Sequence, residues 1–290
     1  MPDGDQPGVA IISWCDIIRT GVKEMLRRLK KLKHYAVATV DGGHIGWVVD
    51  TYFDDRRWAI RYLVVDNARW LTGRRVLIPS SSLRGIEPGR KILSTSLSRA
   101  QVAECPQFDS ERPVSRQRQV EFSRYYGIPY YWMSDAIGSI AMPTTVSERE
   151  LDAADERQDE RDDPHLRSAE IVTHYHVRAR NAISGRVTDA LYQDGTWRIG
   201  YVVVATRSRL LLERTVLVPV GWVDEVNWST SSVEVGLRSD TVKLAPDYDP
   251  SQVPDAEYLT RLAGYYGAPL APIGAKEPTE NVARTARGGS

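Results

Sequence analysis

Trp58-Ala59-Ile60-Arg61-Tyr62-Leu63-Val64-Val65 returns 139 residues later as Trp197-Arg198-Ile199-Gly200-Tyr201-Val202-Val203-Val204. In each stretch one face collects an aromatic and aliphatic set: Trp58, Ile60, Tyr62 and Val64 in the first, Trp197, Ile199, Tyr201 and Val203 in the second. That is the period of two expected of a β-strand. The other face begins polar at Arg61 and becomes apolar at Leu63 and Val65, so the strand runs into more buried surroundings. Outward from this core the match continues. Gly46, Val48 and Asp50 fall on Gly185, Val187 and Asp189 at the same offset, and Leu71, Arg74, Val76, Leu77 and Pro79 fall on Leu211, Arg214, Val216, Leu217 and Pro219 at an offset of 140. Further on, Tyr125-Tyr126-Gly127 meets Tyr265-Tyr266-Gly267. The chain therefore reads as two copies of one domain, 26–132 and 166–267, each large enough to bury roughly 65% of its unfolded surface and expected to fold alone.

Local grammar sets the class of that domain. Asp54-Asp55-Arg56-Arg57 and Gln193-Asp194-Gly195-Thr196 precede the two quoted strands as turns, and Asp-Gly suits a two-residue hairpin loop. Gly46 and Gly185 are assigned to tight turns, while Val76-Leu77-Ile78 ending at Pro79 and the run from Lys91 to Leu97 supply further short strands. Ser98-Arg99-Ala100-Gln101 has the form of a capping box before a short helix that must stop before Pro106. A second helix is expected over 115–126, ended by Gly127 and Pro129, with its copy over 255–266. The expected fold class is mainly β: two small SH3-like β-barrels, each followed by short C-terminal helices.

The 290 residues are 42% hydrophobic and 26% charged, a soluble globular composition that excludes a disordered, collagen-like or membrane-spanning chain. With 38 basic and 38 acidic residues, there is no global pull toward nucleic acid or anionic lipid. Two cysteines, Cys15 and Cys105, argue against a disulfide framework and suit a reducing, cytoplasmic setting. Residues 1–25 read as an N-terminal extension without a counterpart in the second copy, and Met25 is the expected true start. Residues 133–165 read as an acidic linker and 268–290 as a disordered tail.

The run Lys33-His34-Tyr35-Ala36-Val37, then Asp41-Gly42-Gly43-His44-Ile45-Gly46-Trp47-Val48, the Trp58 strand and Val76-Leu77-Ile78-Pro79, resembles the PRC-barrel domain family. The second copy, from Tyr175-His176-Val177 through Ile183-Ser184-Gly185 to Trp197 and Tyr201, is similar to another member. The resemblance implies a small barrel of the kind found in the cytoplasmic part of the photosynthetic reaction-centre H subunit and in the 16S rRNA maturation factor, where it serves as a docking surface. This chain departs from both. It has no transmembrane segment in its sequence pattern and no separate RNA-processing domain, so neither partner carries over.

No phosphate loop, dinucleotide glycine motif, Gly-x-Ser-x-Gly, His-Glu-x-x-His or EF-hand pattern is present. No catalytic, cofactor-binding or metal-ligating residue is accordingly expected. Asp50/Asp189 and Asp109/Asp249 recur among the acids and read as caps on backbone amides. His174 and His176 would share a strand face, a spacing that could serve a metal but lacks a third ligand. Tyr125, Tyr126, Tyr130, Tyr131 and Trp132 read as a seal of helix onto barrel, with a stacking platform as the alternative.

Charge divides the copies: 26–132 holds 19 basic and 10 acidic residues, a net of +9, and 166–267 holds 11 and 12, a net of −1. Arg27, Arg28, Lys30, Lys31 and Lys33 concentrate positive charge at the entry to copy one and form the candidate binding patch. Gly46, Trp58, Tyr62, Pro79 and their copies Gly185, Trp197, Tyr201 and Pro219 are the fold-determining set. The functional expectation is a non-enzymatic adaptor that binds a macromolecular partner, foremost a protein, in the cytoplasm or at the inner face of the membrane. An RNA- or ribosome-associated maturation factor is the alternative, and an enzyme stands third.

Overall fold

The computed structural model describes residues 26–66, 75–106, 114, 116–128, 165–207 and 213–267. Expectations that rest on Cys15, Met25, Leu71, Arg74, Asp109, Pro129 to Trp132, Leu211, the acidic linker up to residue 164 and the tail lie outside these residues. The first half runs β1 (Leu26–Arg28), β2 (Ala36–Ala38), β3 (His44–Asp54), β4 (Ala59–Asp66), β5 (Arg75–Pro79), β6 (Leu83–Glu87), β7 (Ile92–Thr95), α1 (Arg99–Ala103) and α2 (Arg116–Tyr126). The second runs β8 (Leu166–Ser168), α3 (Ala169–Val172), β9 (His176–Ala179), β10 (Ala182–Gln193), β11 (Arg198–Arg207), β12 (Glu213–Pro219), β13 (Val223–Asn227), β14 (Ser232–Val235), α4 (Ser239–Lys243) and α5 (Ala256–Tyr266). The fold is mainly β with few helices, as the strand periodicity predicts.

Two compact units divide the chain between Leu29 and Lys30 and again between Val172 and Thr173. The first unit is Lys30–Val172; the second is Thr173 onward together with the segment up to Leu29. These cuts fall a few residues inside each repeat copy rather than at 26 and 166. In the first unit, β3 pairs antiparallel with β2, β4 and β8, β4 with β5, and β6 with β7, while β2 and β7 run parallel. In the second, β10 pairs antiparallel with β9, β11 and β1, β11 with β12, and β13 with β14, while β14 and β9 run parallel. The pairing scheme of the repeat is thus the same in both units.

The long strands repeat even their irregularities. Register shifts fall between Val48 and Asp50 and between Val187 and Asp189, so a residue is inserted opposite β4 and β11 at the same place. Such a bulge bends the strand and re-aims the side chain that follows it, here Asp50 and Asp189. β4 is buried on both faces, with Ile60, Tyr62, Leu63, Val64 and Val65 all inaccessible, consistent with its near-continuous apolar sequence. Tyr201, Val203 and Val204 do the same in β11.

Two pairs of fold-determining residues stand elsewhere than the sequence pattern puts them, and the hairpin loops are longer than expected. Trp58 and Trp197 do not open the strands; they close the preceding turns with φ of 50° and 59°. The hairpin loops hold four residues, between Asp54 paired with Ala59 and Gln193 paired with Arg198, instead of two. A left-handed tryptophan is strained, and stacking of Trp58 on Phe53 (5.5 Å between centroids) and Trp197 on Tyr192 (5.4 Å) offsets that strain in buried positions. Gly46 and Gly185 sit within β3 and β10, not in tight turns. A Cβ at either would come within 3.0 Å of a backbone carbonyl on the neighbouring strand, Asp66 or Ala205, so glycine is needed for close approach.

Helix positions follow the sequence signals. Ser98 accepts from the Gln101 amide and Gln101 accepts from the Ser98 amide, a complete capping box before α1. Asp255 caps α5, and Gly127 and Gly267 leave α2 and α5 in the left-handed conformation. Pro79 and Pro219 end β5 and β12 opposite Tyr62 and Tyr201 and lead into short 3₁₀ turns. No helix among the described residues is long and apolar enough to cross a membrane.

Candidate interaction surface

The five basic residues of the candidate patch divide between the two units, Arg27 and Arg28 in the second and Lys30, Lys31 and Lys33 in the first. Arg27 and Arg28 lie on β1, which is seated in the second unit: Arg27 Nε donates to Asp194 (2.7 Å) and Arg28 Nε to Asp189 (2.7 Å), with a further bond from Arg28 to the Pro250 carbonyl (2.6 Å). Lys33 is paired with Glu170, while Lys30 and Lys31 are exposed in the turn that follows. Arg27, Arg28 and Lys33 are thus ion-paired within the fold.

The same contacts recur around β8 in the first unit. Arg167 Nε donates to Asp55 (2.7 Å), and the Ser168 hydroxyl donates to Asp50 (2.6 Å). At offset 140 Arg27 corresponds to Arg167 and Arg28 to Ser168, and at offset 139 Asp55 corresponds to Asp194 and Asp50 to Asp189. Asp50 and Asp189 do bind backbone amides, Thr51 and Glu170 for the former and Ala190 for the latter, but they also grip the short strand. Burial raises the Asp50 carboxyl above its ordinary value despite the Ser168 hydroxyl, and burial raises Asp55 despite the Arg167 guanidinium. The Asp55/Asp194 and Arg27/Arg167 recurrences are the signal of these contacts in the sequence.

The β6–β7 and β13–β14 hairpins occupy equivalent places and differ in surface chemistry. Among the described residues β6 pairs only with β7, and β13 only with β14, so each presents an edge. In the first unit this hairpin exposes Arg84, Arg90 and Lys91 beside Glu87. The equivalent hairpin of the second unit exposes Asp224, Glu225 and Trp228, the last with about half of its surface accessible. One backbone scaffold thus carries a basic surface in one unit and an acidic, aromatic one in the other.

Other candidates resolve locally. His174 lies in the turn before β9 and His176 is the first residue of β9, so the two do not share a strand face; both are exposed. No group of three His, Cys, Asp or Glu able to hold a metal is found among the described residues. Tyr125 and Tyr265 donate to the carbonyls of Gln101 and Thr241, and Tyr126 and Tyr266 to those of Leu77 and Leu217, so each pair fastens a helix to the strands and to the short helix before it. Burial pushes the Tyr126 and Tyr266 phenols well above their ordinary range and Tyr201 up to about 12. Asp41 and Asn181, 140 residues apart, accept from the amides of Arg99 and Ser239 at the starts of α1 and α4. The Thr39 hydroxyl and the Arg99 amide hold the Asp41 carboxyl below its ordinary value.

No curated protein matches the chain. Residues 25–96, from β1 through the β6–β7 hairpin, match the PRC-barrel domain, a family often involved in protein interactions.

Proposed function

We propose that the chain is a non-enzymatic adaptor built from two PRC-type, SH3-like β-barrels, one in each unit, which dock different macromolecular partners. The observation that carries this reading is the inverted chemistry of equivalent edge hairpins, Arg84/Arg90/Lys91 against Asp224/Glu225/Trp228. A duplicated scaffold that served only its own stability has no need of opposite surface charge at one position. Complementary charge steers encounter and selects partners, and an exposed tryptophan beside acids is the kind of anchor that concentrates binding energy. The partner of the basic hairpin is an acidic protein surface, met in the cytoplasm or at the inner face of the membrane. No cofactor, metal or catalytic group enters this reading.

The test is density-gradient fractionation of native lysate at low and raised salt with crosslinking, comparing the natural chain with an Arg84→Glu/Arg90→Glu/Lys91→Glu variant and a Trp228→Ala variant. Each variant is expected to lose a different crosslinked protein while keeping the other. A chain that sediments alone at low salt, or partners indifferent to both variants, would overturn the proposal. Co-sedimentation abolished by ribonuclease and by neutralising Lys30, Lys31 and Lys33 would transfer the assignment to the RNA-associated alternative.

A further inference from the structure

Each half of the chain carries the strand that the other half's unit uses. β1, which precedes copy one in sequence, pairs with the end of β10 in the register Leu26 with Gln193, Arg27 with Tyr192 and Arg28 with Leu191. β8, which precedes copy two, pairs with the end of β3 in the register Leu166 with Asp54, Arg167 with Phe53 and Ser168 with Tyr52. Those registers superimpose under the repeat, residue for residue. Both leading leucines are buried, and Leu166 packs among Tyr52, Tyr62 and Phe122. Both second residues are arginines paired with an aspartate of the adjoining hairpin.

We propose that the edge of β10 at Leu191–Gln193 with Asp189 and Asp194, and the edge of β3 at Tyr52–Asp54 with Asp50 and Asp55, are strand-acceptor sites. Their ligand is an extended Leu-Arg-Arg or Leu-Arg-Ser segment, and its reciprocal supply by the opposite half clasps the two halves of the chain together. The recognition is strand addition: main-chain bonds give affinity, a buried leucine anchors one end, and the arginine–aspartate pair fixes register. The third position supplies selectivity. Asp189 is fully buried and takes the guanidinium of Arg28, whereas Asp50 takes the shorter Ser168 hydroxyl and the Glu170 amide. A Leu-Arg-Ser segment in the β10 site would leave Asp189 without that cation, so this site selects the leader of the first half.

The covalent path between the halves runs through residues 129–164. A specific protease site placed between 147 and 163 in the full-length protein, then cut, tests the clasp. The two fragments are expected to elute together at the size of the uncut 32.6 kDa chain and to separate only in denaturant. Arg27→Asp with Arg167→Asp should weaken their association on the order of a hundredfold or more, since two charge-assisted bonds are lost. Adding Asp194→Arg and Asp55→Arg should restore it, which separates loss of recognition from loss of folding. Separation of the natural fragments on cutting overturns the proposal. So does co-elution that survives the reversal, failure of the fourfold variant to recover, or a native mass showing like fragments paired with like.

Discussion

Arg28→Ala removes the cation from a carboxylate with no accessible surface. Asp189 keeps the amide of Ala190, but the guanidinium 2.7 Å away is the charge that offsets its burial. Breaking a buried pair from one side costs about 3 to 5 kcal/mol, because the remaining charge stays desolvated. Arg28 itself is a quarter exposed, so water reaches part of the vacated space and the lower end applies, about 3 kcal/mol. The bond to the Pro250 carbonyl is lost with it. Native-state hydrogen exchange reads the change unit by unit: amides of β10 and β11 should exchange about a hundredfold faster at that cost, while those of β3 and β4 keep their protection. The double variant Arg28→Ala/Asp189→Ala should be less damaged than the sum of its parts, with a coupling of about 2 kcal/mol. At the equivalent position Ser168→Ala removes the hydrogen bond to Asp50 and the one accepted from the Ile171 amide, and should cost about 2 to 3 kcal/mol, read on β3 and β4 instead. A loss below about 0.5 kcal/mol for Arg28→Ala, the size of an ordinary surface substitution, would refute the assignment of the pair as a structural latch.

Three further outcomes are expected. Gly46→Ala and Gly185→Ala should each lower stability by about 2 kcal/mol or more in thermal unfolding, because the added methyl meets the backbone of the next strand, whereas Gly85→Ala and Gly221→Ala, which open onto empty space, should change it little. Trp58→Ala should cost about 3 to 5 kcal/mol in urea unfolding through loss of a buried ring, and Trp58→Gly should cost less than that, since glycine releases the left-handed strain. Asp50→Asn should stabilise the chain at neutral pH. The folded carboxyl of Asp50 is raised above 3.8, so its stability contribution is present below the unfolded value and lost as pH rises through the folded one; the advantage of asparagine should therefore vanish on acidification below that range.

What could be read from the sequence was whatever is encoded within a few residues. The capping box at Ser98 and Gln101, the left-handed exits at Gly127 and Gly267 and the tyrosines before them are decided by neighbours three or four positions away, and each stands where the pattern puts it. The tryptophans show where that logic fails. Trp58 continues the alternation of β4 perfectly, but the hairpin needs a left-handed residue before the strand begins, and Phe53 on the facing strand offers a ring to stack on. Periodicity sees the phase of an apolar residue and not the φ it adopts. Glycine is similar: Gly46 and Gly185 look like turn residues because composition cannot distinguish freedom of φ from the need for a missing side chain.

The short leading strands were out of reach for a different reason. Leu26-Arg27-Arg28 is too brief to show a period, and its neighbours Lys30, Lys31 and Lys33 make it look like one end of a charged surface. Its acceptor lies more than 160 residues away. Self-comparison of the sequence aligns each leader with the copy that follows it, and to that comparison a leader seated in its own copy is indistinguishable from one seated in the other. Only the choice of aspartates records the difference, and it does so weakly, because Asp55 and Asp194 are equivalent and either could receive either arginine. The asymmetry rests on one position, Arg28 against Ser168, matched to an Asp189 that is buried completely and an Asp50 that is not. Duplication makes exchange of this kind accessible, since two equivalent slots and two equivalent strands exist in one chain; a difference at the third residue then biases which strand fills which slot.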